Sequence, residues 1–135
     1  MIIKTLSAND VGVTNSHQAG MLIPKKKEIL SFFPVLTNSI KNPRMRLSFL
    51  DDAGEVWKFN FIYYNNKFFG GTRNEFRLTG MTDYFKTKNL KEGDKISFEQ
   101  IDGIYYISHN RYQEYEESEV LQLSDSWISI KYIKP

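Results

Sequence analysis

Gly70-Gly71-Thr72-Arg73-Asn74-Glu75-Phe76-Arg77-Leu78-Thr79 is the stretch around which the fold can be read. Its second half has the alternation of a strand, so Arg73, Glu75 and Arg77 leave one face while Asn74, Phe76 and Leu78 leave the other. One face anchors and the other reaches out. A plus, minus, plus row can be a surface ion-pair ladder worth roughly a few tenths of a kcal/mol. It can equally be a recognition strand, because in a DNA major groove an arginine bonds a guanine edge bidentately and a carboxylate accepts from the cytosine amino group. Glu75 would then face bases, since a phosphate repels it.

On the N-terminal side of this stretch, Arg44 to Leu50 and Glu55 to Tyr64 alternate in the same manner around the turn Asp51-Asp52-Ala53-Gly54, which predicts a hairpin with Arg44, Arg46 and Lys58 on its outer side. Asn65 to Gly71 carries that hairpin into the opening strand. Upstream, Ile2 to Leu6 and Met21 to Ile23 are short strands, and Pro24 can start a helix through Phe33 with Ile29, Leu30 and Phe33 toward the core. Downstream, Gly80 to Leu90 predicts a short helix capped by Thr82. Lys95 to Gln100 and Ile104 to Ser108 form a hairpin through Asp102-Gly103, and Trp127 to Ile133 is a last strand. Tyr112 to Gln122 is acidic and polar, and is read as a loop or a helical turn. About seven strands with two short helices favour a closed or nearly closed β-barrel, helices at its openings, over a sandwich.

The chain has 135 residues, 41% of them hydrophobic and 15% aromatic, enough for one core and too few for two ordinary domains, so residues 1–135 are expected to be a single domain. It has no long apolar run, and Met1 to Thr5 lacks the pattern of a signal peptide, so the expectation is a cytoplasmic protein with no membrane partner. The chain contains no cysteine, which excludes disulfides and thiolate catalysis. A net charge of +2 hides a partition: residues 1–50 carry seven Lys or Arg against two acids, whereas residues 94–135 carry four against eight. That is the footprint of a protein that meets a polyanion on one side only.

Ser7 to Gly20 is a long stretch of turn formers, the kind of loop that in a compact domain usually has a task. Near its end stand Asn15, Ser16, His17 and Gln18; an amide such as that of Gln18 pairs with an adenine edge, and His17 can donate to a guanine or a phosphate. Lys25, Lys26 and Lys27 would oppose the dipole of a helix that starts at Pro24, and a phosphate would relieve that conflict.

Leu6-Ser7-Ala8-Asn9-Asp10, followed by His17-Gln18-Ala19-Gly20, Ile23-Pro24-Lys25 and then Thr72 through Thr79, resembles the N-terminal effector domain of the EcoRII-type restriction endonucleases. The resemblance covers most of the chain. It implies a mainly β, seven-stranded open pseudobarrel with two short helices at its ends, a fold shared with plant transcription factors. It implies two arms that grip the major groove: Asn15 to Leu22 with His17, Gln18 and Leu22 in the first, and Gly71 to Thr79 with Arg73, Asn74, Glu75 and Arg77 reading bases from the second. The target implied is short and nearly palindromic, CC(A/T)GG in the best known members. Two different arms on a pseudo-palindrome need no protein two-fold, so a monomer is expected.

Metal-dependent nucleases need clustered carboxylates, commonly with an acid two residues before a lysine, and no Asp or Glu here has that spacing. His17 and His109 start no nuclease motif, and nothing resembles a nucleophile elbow or a phosphate loop. The expectation is a binding module with no catalytic residues, metal or cofactor, fused to or excised from a nuclease domain beyond Pro135. The alternative is an RNA- or single-strand-binding barrel that uses aromatic stacking platforms, although most of the aromatics alternate as core residues do. A small-molecule enzyme at the barrel mouth would need a paired acid and base, which the sequence does not offer.

Overall fold

A computed structural model describes residues 1–12, 20–110 and 118–132. In chain order they form β1 (Ile2–Thr5), β2 (Gly20–Ile23), α1 (Lys27–Leu30), β3 (Arg44–Leu50), β4 (Val56–Tyr64), a 3-10 turn (Asn66–Phe69), β5 (Glu75–Thr79), α2 (Thr82–Thr87), β6 (Lys95–Ile101), β7 (Ile104–His109), β8 (Ser118–Gln122) and β9 (Trp127–Tyr132). All nine strands lie in one sheet of order β2-β5-β4-β3-β7-β6-β1-β9-β8.

The sheet has two antiparallel halves. β2-β5-β4-β3 is one and β7-β6-β1-β9-β8 the other, joined by a parallel seam only two residues long, Phe49 with Tyr105 and Leu50 with Tyr106. The two outermost strands, β2 and β8, do not pair with each other, so the curled sheet is an open pseudobarrel. Inside the curl, Phe98 meets Phe49 and Trp127, so rings from both halves fill one core.

The strand count exceeds the seven expected. The first-arm strand expected from Met21 to Ile23 forms as β2 and pairs along its whole length with β5, whereas β8 emerges from the stretch read as loop or helical turn. β8 was hidden because it is an edge strand whose Val120 and Leu121 stay half exposed, so it lacks a clean inward-outward alternation.

The first helix is also shorter than its apolar spacing predicts. It begins at Lys27, with Lys26 still extended (φ −98°, ψ 135°), and ends at Leu30. Bonds from the Phe32 N–H to the Ile29 carbonyl and from the Phe33 N–H to the Leu30 carbonyl then tighten the chain into turns ahead of Pro34, whose ring disfavours helix in the residue before it. Ile29 and Phe33 are buried as expected. In α2, Thr82 is the first helical residue, so the N-cap position falls on Met81, whose side chain makes no capping hydrogen bond; the helix is closed at its C-terminus. There Asn89 takes a left-handed conformation (φ 53°), its N–H bonding the Lys86 carbonyl and that of Leu90 the Phe85 carbonyl, a Schellman closure.

Candidate nucleic-acid interface

The register of β2-β5-β4-β3 fixes which side chains share a face. Arg44 pairs with Ile62, Ile62 with Arg77 and Arg77 with Leu22; in the next row Arg46 pairs with Asn60, and one step further Ser48 pairs with Lys58. Directly paired residues of an antiparallel sheet point the same way. Arg44, Arg46, Lys58 and Arg77 therefore stand on one outer face, together with Glu75 and the half-exposed Leu22.

The opposite face of β5 is the anchor. Leu78 is fully buried, and Phe76 lies in a column of near-parallel rings, 4.1 Å from Tyr63 and 5.7 Å from Phe61, with Phe33 stacked beyond at 4.6 Å. Each such aromatic pair adds about 0.5–1.5 kcal/mol beyond its buried area, so the outward side chains stand on a stiff base. Asn74 belongs to this inner side, and its Oδ1 accepts a 2.6 Å hydrogen bond from the Tyr63 hydroxyl. Strand alternation separates Asn74 from the arginines, as the structure does, whereas the resemblance groups it with them.

On the outer side the plus, minus, plus ladder forms. Glu75 Oε1 accepts from Arg73 Nε at 2.8 Å and lies 2.7 Å from Arg73 Nη2, with Arg77 Nη1 at 3.9 Å. The Arg73 guanidinium is also stacked over the Tyr64 ring, 3.6 Å from its centroid. Tyr64 pairs with Glu75 in the sheet and so shares the arginine face. Nothing in the sequence singled out Tyr64; only the hairpin register reveals it. Glu75 engages the Nε–Nη2 edge of the guanidinium, which leaves Nη1 and the second hydrogen on Nη2 uncommitted by that contact, the end of the fork that matches guanine O6 and N7.

The root of the second arm is pinned by Asn65, a residue that no sequence pattern marks out. It is fully buried, its Nδ2 donating to the Ile40 carbonyl and its Oδ1 accepting from the Asn42 N–H. Beyond it the Lys67 N–H bonds the Arg73 carbonyl, so the hairpin continues past the ends of β4 and β5 to a tip at Phe68–Thr72.

Of the first arm, Asn15, Ser16, His17 and Gln18 lie outside the described residues. The ends of their segment are held together, since the Gly20 N–H bonds the Asp10 carbonyl. Asp10 is itself fixed by a buried 3.3 Å ion pair to Lys4 and by its carboxylate accepting from the Ser7 N–H. Gly20 is required by packing: a Cβ there would sit 2.4 Å from the Leu78 carbonyl oxygen. β2 ends at Ile23 opposite Phe76, so Pro24 and the exposed Lys25 leave the sheet beside the start of β5. Lys26 and Lys27 are exposed as well, but they flank a single helical turn rather than the start of a longer helix. Among the described residues no group of three or more His, Asp or Glu is placed to hold a metal.

These strands define a curled, open β pseudobarrel with one cationic outer sheet face. The family model described as restriction endonuclease EcoRII, N-terminal, matches residues 1–97, and the chain belongs to that family. The type II restriction enzyme EcoRII of Escherichia coli is 39% identical over 92 residues, which are 66% of this chain and 22% of that enzyme. A B3 domain-containing protein of Oryza sativa subsp. japonica is 31% identical over 108 residues, 79% of this chain and 35% of the rice protein. The chain thus spans about a fifth to a third of the length of these relatives. The Arabidopsis FUS3–DNA complex shares the fold, with a TM-score of 0.63 and 24% identity over 82% of this chain and 96% of that one.

Proposed function

We propose that this chain is a sequence-specific double-stranded DNA-binding module that grips a short, nearly palindromic site in the major groove between two arms. The observation that carries this is the outer face of β3, β4 and β5. Arg44, Arg46, Lys58 and Arg77 line it, and Arg73 is already held by Tyr64 and Glu75 with Nη1 and the second hydrogen on Nη2 uncommitted by the Glu75 contact. Cations without sequence preference attract the phosphates, whereas an arginine held at fixed geometry discriminates bases. Arg73, Arg77 and Glu75 read from the second arm, Asn74 supports them through Tyr63, and Asn15 to Gln18 with Leu22 contribute the first. Lys25, Lys26 and Lys27 meet phosphates beside the start of β5.

Family membership and the relatives' names support a place within a restriction endonuclease, with cleavage carried by a separate nuclease domain and CC(A/T)GG as the first target to try. One domain with two unlike arms binds as a monomer. The RNA or single-strand alternative finds less support, because most rings of the described residues are in the core, Tyr64 is covered by Arg73, and the exposed phenylalanines Phe68 and Phe69 sit together at one tip rather than along a groove.

The test is selection of duplexes from a randomised library, followed by affinities for the selected duplex, a scrambled duplex, each single strand and the matching RNA. Tighter binding of the selected duplex than of all the others is expected. Equal binding of the scrambled duplex, or tighter binding of RNA or a single strand, would overturn the proposal.

A further inference from the structure

The tip of the second arm presents two adjacent phenylalanines to solvent. Phe68 is 54% and Phe69 44% exposed, in a protein whose other phenylalanines are buried or partly buried against the core. Burying either ring further would be favourable, and the described residues leave both about half uncovered. The turn that holds them is well fixed. The Phe68 N–H bonds the Asn65 carbonyl, the Gly71 N–H bonds the Asn66 carbonyl, and Gly70 closes the turn in a left-handed conformation (φ 86°). Gly71 is packed so closely that a Cβ would come within 2.9 Å of Asn66 Cβ. Because the Lys67 N–H bonds the Arg73 carbonyl, the two rings continue the same hairpin that carries Arg73.

From these observations we infer that Phe68 and Phe69 form an apolar contact with the duplex itself, at one edge of the segment that Arg73 and Arg77 read. The inference rests on the DNA-binding proposal above. Phe69 stands four positions before Arg73, a backbone reach of at most about 14 Å, so the contact falls within a few base pairs of the one made by Arg73. Apolar side chains of this kind meet DNA at thymine methyls, at deoxyribose or between opened base steps. All of these are contacts with apolar nucleotide surface that displace no counterion. That property separates the tip from the basic residues around it.

The experiment compares wild type with Phe68→Ser/Phe69→Ser on the library-selected duplex at several salt concentrations, alongside thermal melting. The expected result is an affinity at least tenfold lower, an unchanged slope of log affinity against log salt, and an unchanged melting temperature. If wild type binds the selected duplex tightly and the variant binds it equally well, the tip contact is refuted while the DNA-binding proposal stands. A slope that falls by about one unit would also refute it, because the tip would then act only by placing a cation on a phosphate. Failure of wild type to prefer any duplex would be a failure of the underlying proposal, read from the wild-type titration alone. As a control for unspecific loss of apolar surface, Ile104→Ser, on the far half of the sheet, should leave affinity unchanged; a matching tenfold loss there would overturn the assignment to the tip.

Discussion

Arg73 sits over Tyr64, its guanidinium carbon 3.6 Å from the ring centroid, while Glu75 grips the edge of the same guanidinium. The pair connects the hairpin register to the proposed base reading by Arg73, because Tyr64 reaches Arg73 only by sharing its face. Held on two sides, the arginine loses less rotamer freedom when it meets a base than a free side chain would. Arg73→Ala should cost about 1–3 kcal/mol on the selected duplex and relax base preference at one position. Tyr64→Leu should cost about 0.5–1 kcal/mol on the same duplex, with little change on scrambled DNA. Titration of both variants on both duplexes checks this, and equal losses on the two would reduce Arg73 to a phosphate clamp.

Glu75 is the residue whose charge is hardest to reconcile with a simple cationic surface. Its Oε1 organises Arg73 and lies 3.9 Å from Arg77 Nη1, and a carboxylate in the groove can also accept from a cytosine amino group. Glu75→Gln keeps the shape and removes the charge. Specific affinity should fall while affinity for scrambled duplex holds or rises, since one repulsion with the phosphates is gone. Unchanged base preference in that variant would leave Glu75 with the ion-pair ladder and no reading role.

Gly20 joins the two arms. A methyl group there would meet the Leu78 carbonyl oxygen at 2.4 Å and Thr79 Cα at 2.9 Å, both backbone, so neither side can yield without parting β2 from β5. Gly20→Ala should cost about 1–3 kcal/mol of stability and shift the segment whose end the Gly20–Asp10 bond secures. Thermal melting and duplex titration at a temperature where the variant is fully folded separate the two effects. A wild-type melting temperature would show that the strands have room to spare.

Asp51 supplies the acid-sensitive joint of the fold. Burial raises its carboxyl pKa, but hydrogen bonds from the Trp57 indole, the Glu55 N–H, Lys88 and the Ala53 N–H outweigh that and bring it from 3.8 to about 2. The Lys88 ammonium, 3.0 Å away, ties the β3–β4 turn to the end of α2. A folded-state pKa below the unfolded one means the carboxylate stabilises the fold above about pH 4, and this stabilisation is lost as pH falls toward 2. Asp51→Asn should therefore cost about 2–4 kcal/mol at neutral pH, and its melting temperature should approach that of wild type in acid. Melting curves from pH 2 to 7 decide it: a constant gap between the two proteins would remove Asp51 from the acid response.

Much of this was legible in the sequence, for identifiable reasons. The alternation of Arg73 to Leu78 placed the arginines and their anchor correctly, because a strand with one buried face cannot slip register without exposing Phe76 and Leu78. The hairpin of Arg44 to Tyr64 was legible in the same way, and its outer cations do share a face. Tyr64, Asn65 and Gly20 were not legible, since their roles depend on which residue stands opposite across a strand or a turn. β8 was hidden by its edge position. The first helix was overextended because Ile29, Leu30 and Phe33 have helical spacing, yet Pro34 and the three unfavourably placed lysines leave room for only one turn.

That shortened helix bears on what Lys25, Lys26 and Lys27 do. With a single turn there is hardly a dipole for a phosphate to complement, so any phosphate binding must come from the ammonium groups alone. All three are exposed and leave the sheet beside the start of β5, the side of the arm that bears Arg73. A phosphate carries no sequence information, so the triple Lys→Ala variant should weaken the selected and scrambled duplexes by a similar factor. Every phosphate left without its ammonium partner should lower the slope of log affinity against log salt by about 0.9, because one fewer condensed counterion is released on binding. A variant slope equal to that of wild type would mean these lysines are solvated surface, and phosphate binding would then fall to Arg44, Arg46 and Lys58 on the sheet.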